Sequence, residues 1–166
     1  MPYCVSNTSE ISPGFNLKAT FSKSVTIKLS EDYDTKDFLF YSKAILALCE
    51  KHLQNRNISP KMKLFSLKNK SFAFNNIGFV FDTHGDIAKA LEYYHQSLKI
   101  DVQIKDTLGM ATGICNMAFV LTGQGEIKKT LEYYDKCLML FKSINDKIGI
   151  ATVYNGLPML AEYNEL

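Results

Sequence analysis

Gly85-Asp86-Ile87-Ala88-Lys89-Ala90-Leu91-Glu92-Tyr93-Tyr94 and, 40 residues on, Gly125-Glu126-Ile127-Lys128-Lys129-Thr130-Leu131-Glu132-Tyr133-Tyr134 are one motif written twice. The register holds without a gap on either side. Downstream, Leu98 falls on Leu138, Ile104 on Ile144, Asp106 on Asp146, Gly109 on Gly149 and Ala111-Thr112 on Ala151-Thr152. Upstream, Asn76 meets Asn116 and Phe79-Val80 meets Phe119-Val120. A fixed period in this range is the signature of a repeat architecture, in which each unit hides its apolar face only against its neighbours.

Working outward, the spacing predicts helices throughout the repeat. Phe74, Ile77, Gly78 and Phe81 recur as i, i+3, i+4, i+7, the stripe of a helix buried on one side, over about residues 61–83. His84-Gly85-Asp86 breaks that helix, and Asp86 is placed to cap the next. That second helix buries Ile87, Leu91, Tyr94 and Leu98, with Ile104 a further candidate. Asp106 restarts the cycle, and the helix it caps carries Ala111, Ile114, Met117, Ala118 and Leu121. After Gly123-Gln124-Gly125 comes a helix with Ile127, Leu131, Tyr134, Leu138, Phe141 and Ile144, and Asp146 opens a last one with Ile150, Tyr154, Leu157 and Leu160. Of Tyr93/Tyr94 and Tyr133/Tyr134, one of each pair is expected in the core and the other half-exposed between units.

Before the repeat, a helix is expected after Asp34-Thr35, with Phe38, Tyr41, Ile45, Leu48 and Cys49 at helical spacing. Tyr41-Ser42-Lys43 echoes Tyr134-Asp135-Lys136, which makes this the second helix of a degenerate earlier unit, displaced by 13 residues from two full periods. Asn55 to Pro60 closes it, because proline disfavours helix at Ser59 and asparagine suits turns. Residues 1–33 form an N-terminal arm, extended or poorly ordered. Val25, Ile27 and Leu29 alternate there as in a half-buried strand that lacks a partner. The domain boundaries that follow are an arm at 1–33, a degenerate repeat helix and loop at 34–60, and a helical repeat domain at 61–166. Its units span about 66–105, 106–145 and a partial 146–166.

This pattern resembles the tetratricopeptide repeat, in its longer variant of about forty residues found in kinesin light chains and bacterial regulators. The resemblance covers residues 62–166 well and 35–60 weakly. In that family a small residue on the first helix lets the second pack closely, and Gly78 and Ala118 match it. The aromatic one turn later is Phe81, replaced by Leu121. Ala90 matches the alanine of the second helix, where Thr130 departs. Tyr94 and Tyr134, then Ser97 and Cys137, match the remaining positions. Pro158 stands where Gly78 and Ala118 stand, inside a predicted helix, at a cost of about 3 kcal/mol. The resemblance implies an all-α superhelix, a solenoid of antiparallel helix pairs. The last helix either caps the stack by packing on the Glu126–Ile144 helix, or the chain is one piece of a longer array.

Composition narrows the function. The chain has 166 residues, 46% of them hydrophobic and 22% charged, and a formal charge of +2. These values fit a soluble globular protein, and so small a charge gives no reason to expect nucleic acid or a membrane as partner. Arg56 is the only arginine, whereas bidentate phosphate and base recognition leans on that side chain. No apolar run approaches a membrane span. Met1-Pro2-Tyr3-Cys4 does not begin a secretory signal, so a cytoplasmic location is expected. Cys4, Cys49, Cys115 and Cys137 show no paired spacing, and His52, His84 and His95 complete no zinc site; buried reduced thiols are expected, with no metal and no cofactor.

No catalytic constellation is legible. Gly123-Gln124-Gly125 joins two helices and is a turn, not a phosphate loop. Glu92 and Glu132 repeat as surface residues do, and neither His84 nor His95 has a nucleophile and acid beside it. The chain is therefore expected not to be an enzyme. In the family it resembles, first helices line a concave surface. On that face stand Asn75, Phe79 and Asp82, then Cys115, Phe119 and Thr122, then Asn155 and Met159, with Asn76 and Asn116 adjoining. An asparagine amide donates and accepts at once, so it can hold an extended peptide's backbone; the plainer reading has Asn76 and Asn116 bonding neighbouring backbone. Phe79 and Phe119 are a candidate apolar floor, or simply core. They stand where asparagine would serve in a carboxylate clamp, which argues against one. The expected function is protein–protein interaction, with a short peptide or partner helix in the groove. The rival is a regulatory or sensory segment of a larger signalling protein, and the terminal helix is a candidate surface for self-association.

Overall fold

The described residues of the computed structural model run from Thr35 to Asn164, with side chains described as far as Leu157. Among them are six α-helices and no strand: α1 (Thr35–Leu53), α2 (Pro60–Thr83), α3 (Ile87–Ile104), α4 (Thr107–Thr122), α5 (Ile127–Ser143) and α6 (Lys147–Asn164). The N-terminal arm expected at residues 1–33 lies outside the described residues. α6 continues through Pro158, the proline that the sequence places inside a helix at the cost of a backbone hydrogen bond.

The helix starts are written in the sequence. Ser59 caps α2 by accepting from the Met62 amide at 3.3 Å, and Pro60 occupies the first turn, where its missing N–H costs nothing. The carboxylates of Asp106 and Asp146 accept from the amides of Gly109 at 3.1 Å and Gly149 at 3.2 Å, so one capping device opens both α4 and α6. Asp86 caps α3 through the Lys89 amide, while its counterpart Glu126 makes no side-chain cap on α5.

The turns after α2 and α4 hold glycine in the left-handed region, Gly85 at φ 76° and Gly125 at φ 71°. The turns after α3 and α5 require the same conformation of Lys105 at φ 57° and Asn145 at φ 55°. Glycine carries no Cβ penalty there, and a lysine does. Lys105→Gly is therefore expected to stabilise the protein by about 1 kcal/mol, read as a higher urea midpoint with unchanged slope. An unchanged or lower midpoint would show that the turn is not strained.

Consecutive helices pack as antiparallel neighbours, giving an all-α, solenoid-like stack of helix pairs. α2 approaches α4 within 8 Å between Cα atoms, and α4 approaches α6 in the same way. Among the described residues, α1, α3 and α5 make no such approach to one another. One layer, that of the first helices, is thus more closely spaced than the other, so the stack bends with α2, α4 and α6 on its inner side.

Glycine makes the close packing within the first unit possible. A Cβ on Gly78 would lie 2.8 Å from the ring of Tyr94 and 3.1 Å from the Ala90 carbonyl, so only a bare backbone lets α3 settle against α2. Tyr94 and Tyr134 are fully or almost fully buried, with Tyr93 and Tyr133 half-buried beside them, as the doubled tyrosines predict. Tyr93 stacks on Phe81 at 5.4 Å between centroids.

α1 departs from its expected register. Its buried residues are Ser42, Ile45 and Cys49, whose spacing matches Tyr134, Cys137 and Phe141 of α5 at an offset of 92. The match of Tyr41 to Tyr134 gives 93, yet Tyr41 is only half-buried. That match includes the exposed lysines Lys43 and Lys136, on which packing places no constraint, so burial sets the register and the insertion is one residue shorter.

Candidate functional site

The inner face is carried by α2, α4 and α6. Asn75, Phe79 and Asp82 are spaced i, i+4, i+7 on α2 and so share one side of that helix. The step from α2 to α4 is closed by a side-chain amide pair: Asn116 Nδ2 donates to Asn75 Oδ1 at 3.0 Å. Asn116 and Asn76 are buried and Asn75 is half-buried. The pairing links residue 75 to residue 116, an offset of 41 where the sequence period is 40, because the first helix of one unit meets the next slightly out of register.

Phe79 is half-buried and meets Phe38 of α1 edge-on, with centroids 6.0 Å apart and planes at 87°. α1 therefore flanks this part of the face, a contact the repeat alone does not reveal. Phe119, in the equivalent place on α4, is also half-buried. Asp82 sits in the last turn of α2. Its Oδ2 is inaccessible and accepts no hydrogen bond among the described residues, and desolvation pushes its carboxyl from the ordinary 3.8 up to about 6.

The remaining expected residues separate. Cys115 is buried in the core that α4, α5 and α6 share, beside Tyr134, Cys137, Phe141 and Val153. Thr122 is buried, and its hydroxyl donates to the Ala118 carbonyl at 3.0 Å. Asn155 is exposed on α6, and the side chain of Met159 lies outside the described residues. The structure thus joins Asn75 to Asn116, keeps Phe79, Phe119 and Asp82 partly accessible, and draws Cys115 and Thr122 inside.

One polar cluster lies outside the residues that the sequence singles out. Asp101, only 3% exposed, accepts from the Ser71 hydroxyl at 2.5 Å where α2, α3 and α4 meet. The Ser97 hydroxyl lies 2.8 Å from that of Ser71 and 3.4 Å from the second carboxylate oxygen. A Cβ on Gly109 would come within 2.6 Å of the Asp101 carboxyl carbon, so the carboxylate fills a notch in α4. Burial pushes this carboxyl up to about 6, against the opposing pull of the Ser71 hydrogen bond. The signal lay in the repeat: Ser71, Ser97 and Asp101 stand where the next unit has Ala111, Cys137 and Phe141.

Cys49, Cys115 and Cys137 are buried and form no disulfide among the described residues, and burial raises the Cys49 thiol to about 11. No group of three metal-ligating side chains gathers among the described residues, and no helix among them is long and apolar enough to cross a membrane. No protein-family model matches the chain, and no curated protein matches it.

Proposed function

We propose that this chain is a protein–protein interaction module of the tetratricopeptide kind, holding a short peptide or partner helix along the inner face of α2, α4 and α6. The observation that carries the proposal is the Asn75–Asn116 amide pair at the step between successive first helices. It fixes both amides, and the Asn75 nitrogen makes no hydrogen bond among the described residues, so it remains a donor for a peptide carbonyl. Phe79 lies one turn further along α2 and Phe119 about one turn beyond Asn116 on α4, two half-buried rings beside the polar step. The contact set is Asn75, Phe79, Asp82, Asn116, Phe119 and Asn155; Cys115 and Thr122 act through packing.

Affinity capture with the intact protein, followed by mass spectrometry, tests this. A bait carrying alanine at Asn75, Phe79, Asn116 and Phe119 is expected to lose the captured partners while keeping its helical circular dichroism. Retention of the same partners by that bait would refute the groove.

A further inference from the structure

The alternation of antiparallel helices sends the α1–α2, α3–α4 and α5–α6 connections to one edge of the stack and the α2–α3 and α4–α5 connections to the other. The two edges differ in charge. Between Glu50 and Asp82 the chain has no acidic residue. Lys51, Arg56, Lys61 and Lys63 sit in that interval around the first connection, all exposed and in no ion pair among the described residues. Further into α2, Lys68 and Lys70 already hold Asp106 and Glu50, each at 3.0 Å.

The other two connections on this edge continue the pattern. Lys105, Lys142 and Lys147 are exposed there. The nearby carboxylates are engaged, Asp106 and Asp146 capping helices and Asp101 buried. At the opposite edge lysines and carboxylates are balanced, and Lys89–Asp86 and Lys129–Glu126 pair with each other. A chain-wide charge of +2 conceals this segregation.

Of the nine large apolar side chains exposed among the described residues, five lie at this edge, while Phe40, Leu131, Met139 and Tyr154 lie elsewhere. Met62 and Leu64 project from the first two turns of α2, Val102 from the last turn of α3, and Ile144 and Ile148 (73% exposed) flank the α5–α6 turn. Three connections in a row, each offering cations beside an uncovered apolar side chain, present a line of contacts along one edge of the stack. A flat surface meets all three at once. Lysine predominates, and its compact charge responds to a diffuse negative potential, whereas paired recognition of one phosphate favours arginine.

We propose that this edge rests on an anionic lipid bilayer surface, its lysines at the headgroups and Met62, Leu64 and Ile148 dipping among them. The surface is separate from the inner face and does not depend on its having a ligand. The test is partition of the full chain onto vesicles of phosphatidylcholine, with or without phosphatidylserine. Binding is expected only to the phosphatidylserine vesicles and is expected to fall at high salt. Each cation at such a surface contributes about fivefold, so Lys61→Glu/Lys63→Glu is expected to lose about 25-fold or more. Lys128→Glu/Lys129→Glu, the same change in net charge on the opposite edge, is expected to bind nearly as the wild type. Met62→Ser/Ile148→Ser is expected to lose several-fold.

Failure to prefer phosphatidylserine, or equal losses in the two charge-reversed variants, would overturn the proposal. So would an unaffected serine variant whose vesicle binding a glutamate decapeptide displaces, since the edge would then belong to an acidic polypeptide.

Discussion

Phe141→Ala is expected to lower stability by about 3–5 kcal/mol, among the largest losses a single truncation can cause here. Phe141 is buried at the junction of α4, α5 and α6, in one cluster with Ala111, Cys115, Tyr134, Cys137 and Val153. Opposite it stands Gly149, where a Cβ would collide with the Phe141 ring. The ring fills a notch whose floor is bare backbone, and nothing on α6 at that position can move in to replace it. Truncation should therefore leave a cavity that relaxes poorly, which places the cost towards the top of the range for Phe→Ala. In a stack where each helix pair holds only its neighbours, the loss falls first on α6. Thermal unfolding should shift down by about 10–20 °C, with amide protection in α6 lost before that in α2 and α3. A loss under about 1 kcal/mol would mean that α6 contributes little to the fold.

Why the fold was legible while the site was not follows from which interactions repeat. Gly85, Gly125, Asp106 and Asp146 answer to backbone needs that every unit shares, so their recurrence marks helix ends directly. Tyr94 and Tyr134 recur because each fills the same space in its own unit. The inner face is harder to read. Whether a side chain there meets solvent, the next unit or the core depends on small rotations between helices, and Cys115 turned inward while Asn75 reached Asn116. Contacts made once leave no periodic trace, and Phe38 against Phe79 is one of them. The register of α1 is hidden for a related reason: the residues it shares with α5, Tyr41 and Lys43, lie off its buried stripe of Ser42, Ile45 and Cys49.

Stability of the wild type is expected to fall as pH rises from 3.8 to about 6, and Asp101→Asn to remove much of that fall. The sign follows from linkage. Burial raises the folded-state pKa of Asp101 above its ordinary 3.8, so the native state holds the proton more tightly than the unfolded chain. The favourable contribution is complete below 3.8 and is lost as pH rises through about 6. A shift of this size corresponds to at most about 3 kcal/mol. The charges that face the carboxyl oppose one another, Asp106 raising its pKa and Lys68 lowering it, while the Ser71 and Ser97 hydroxyls lower it. Asp82, also raised to about 6, contributes to the wild-type slope, so the difference between the two profiles is the quantity that isolates Asp101. Urea unfolding across this window should give curves that separate with rising pH, the asparagine variant being the more stable by about 1–3 kcal/mol at neutrality. Parallel curves would show that Asp101 titrates alike in both states. A stronger version replaces Ser71, Ser97 and Asp101 by the alanine, cysteine and phenylalanine that the next unit uses at these places. Gly109 leaves room over α4 as Gly149 does over α6, so the apolar trio has a notch to occupy. Exchanging a buried charged cluster for packed apolar groups is often neutral or stabilising, and the triple variant should be at least as stable as the wild type at neutral pH. If it were instead much weaker, the joint between the first two units would need its hydrogen bonds for geometry and not only tolerate them.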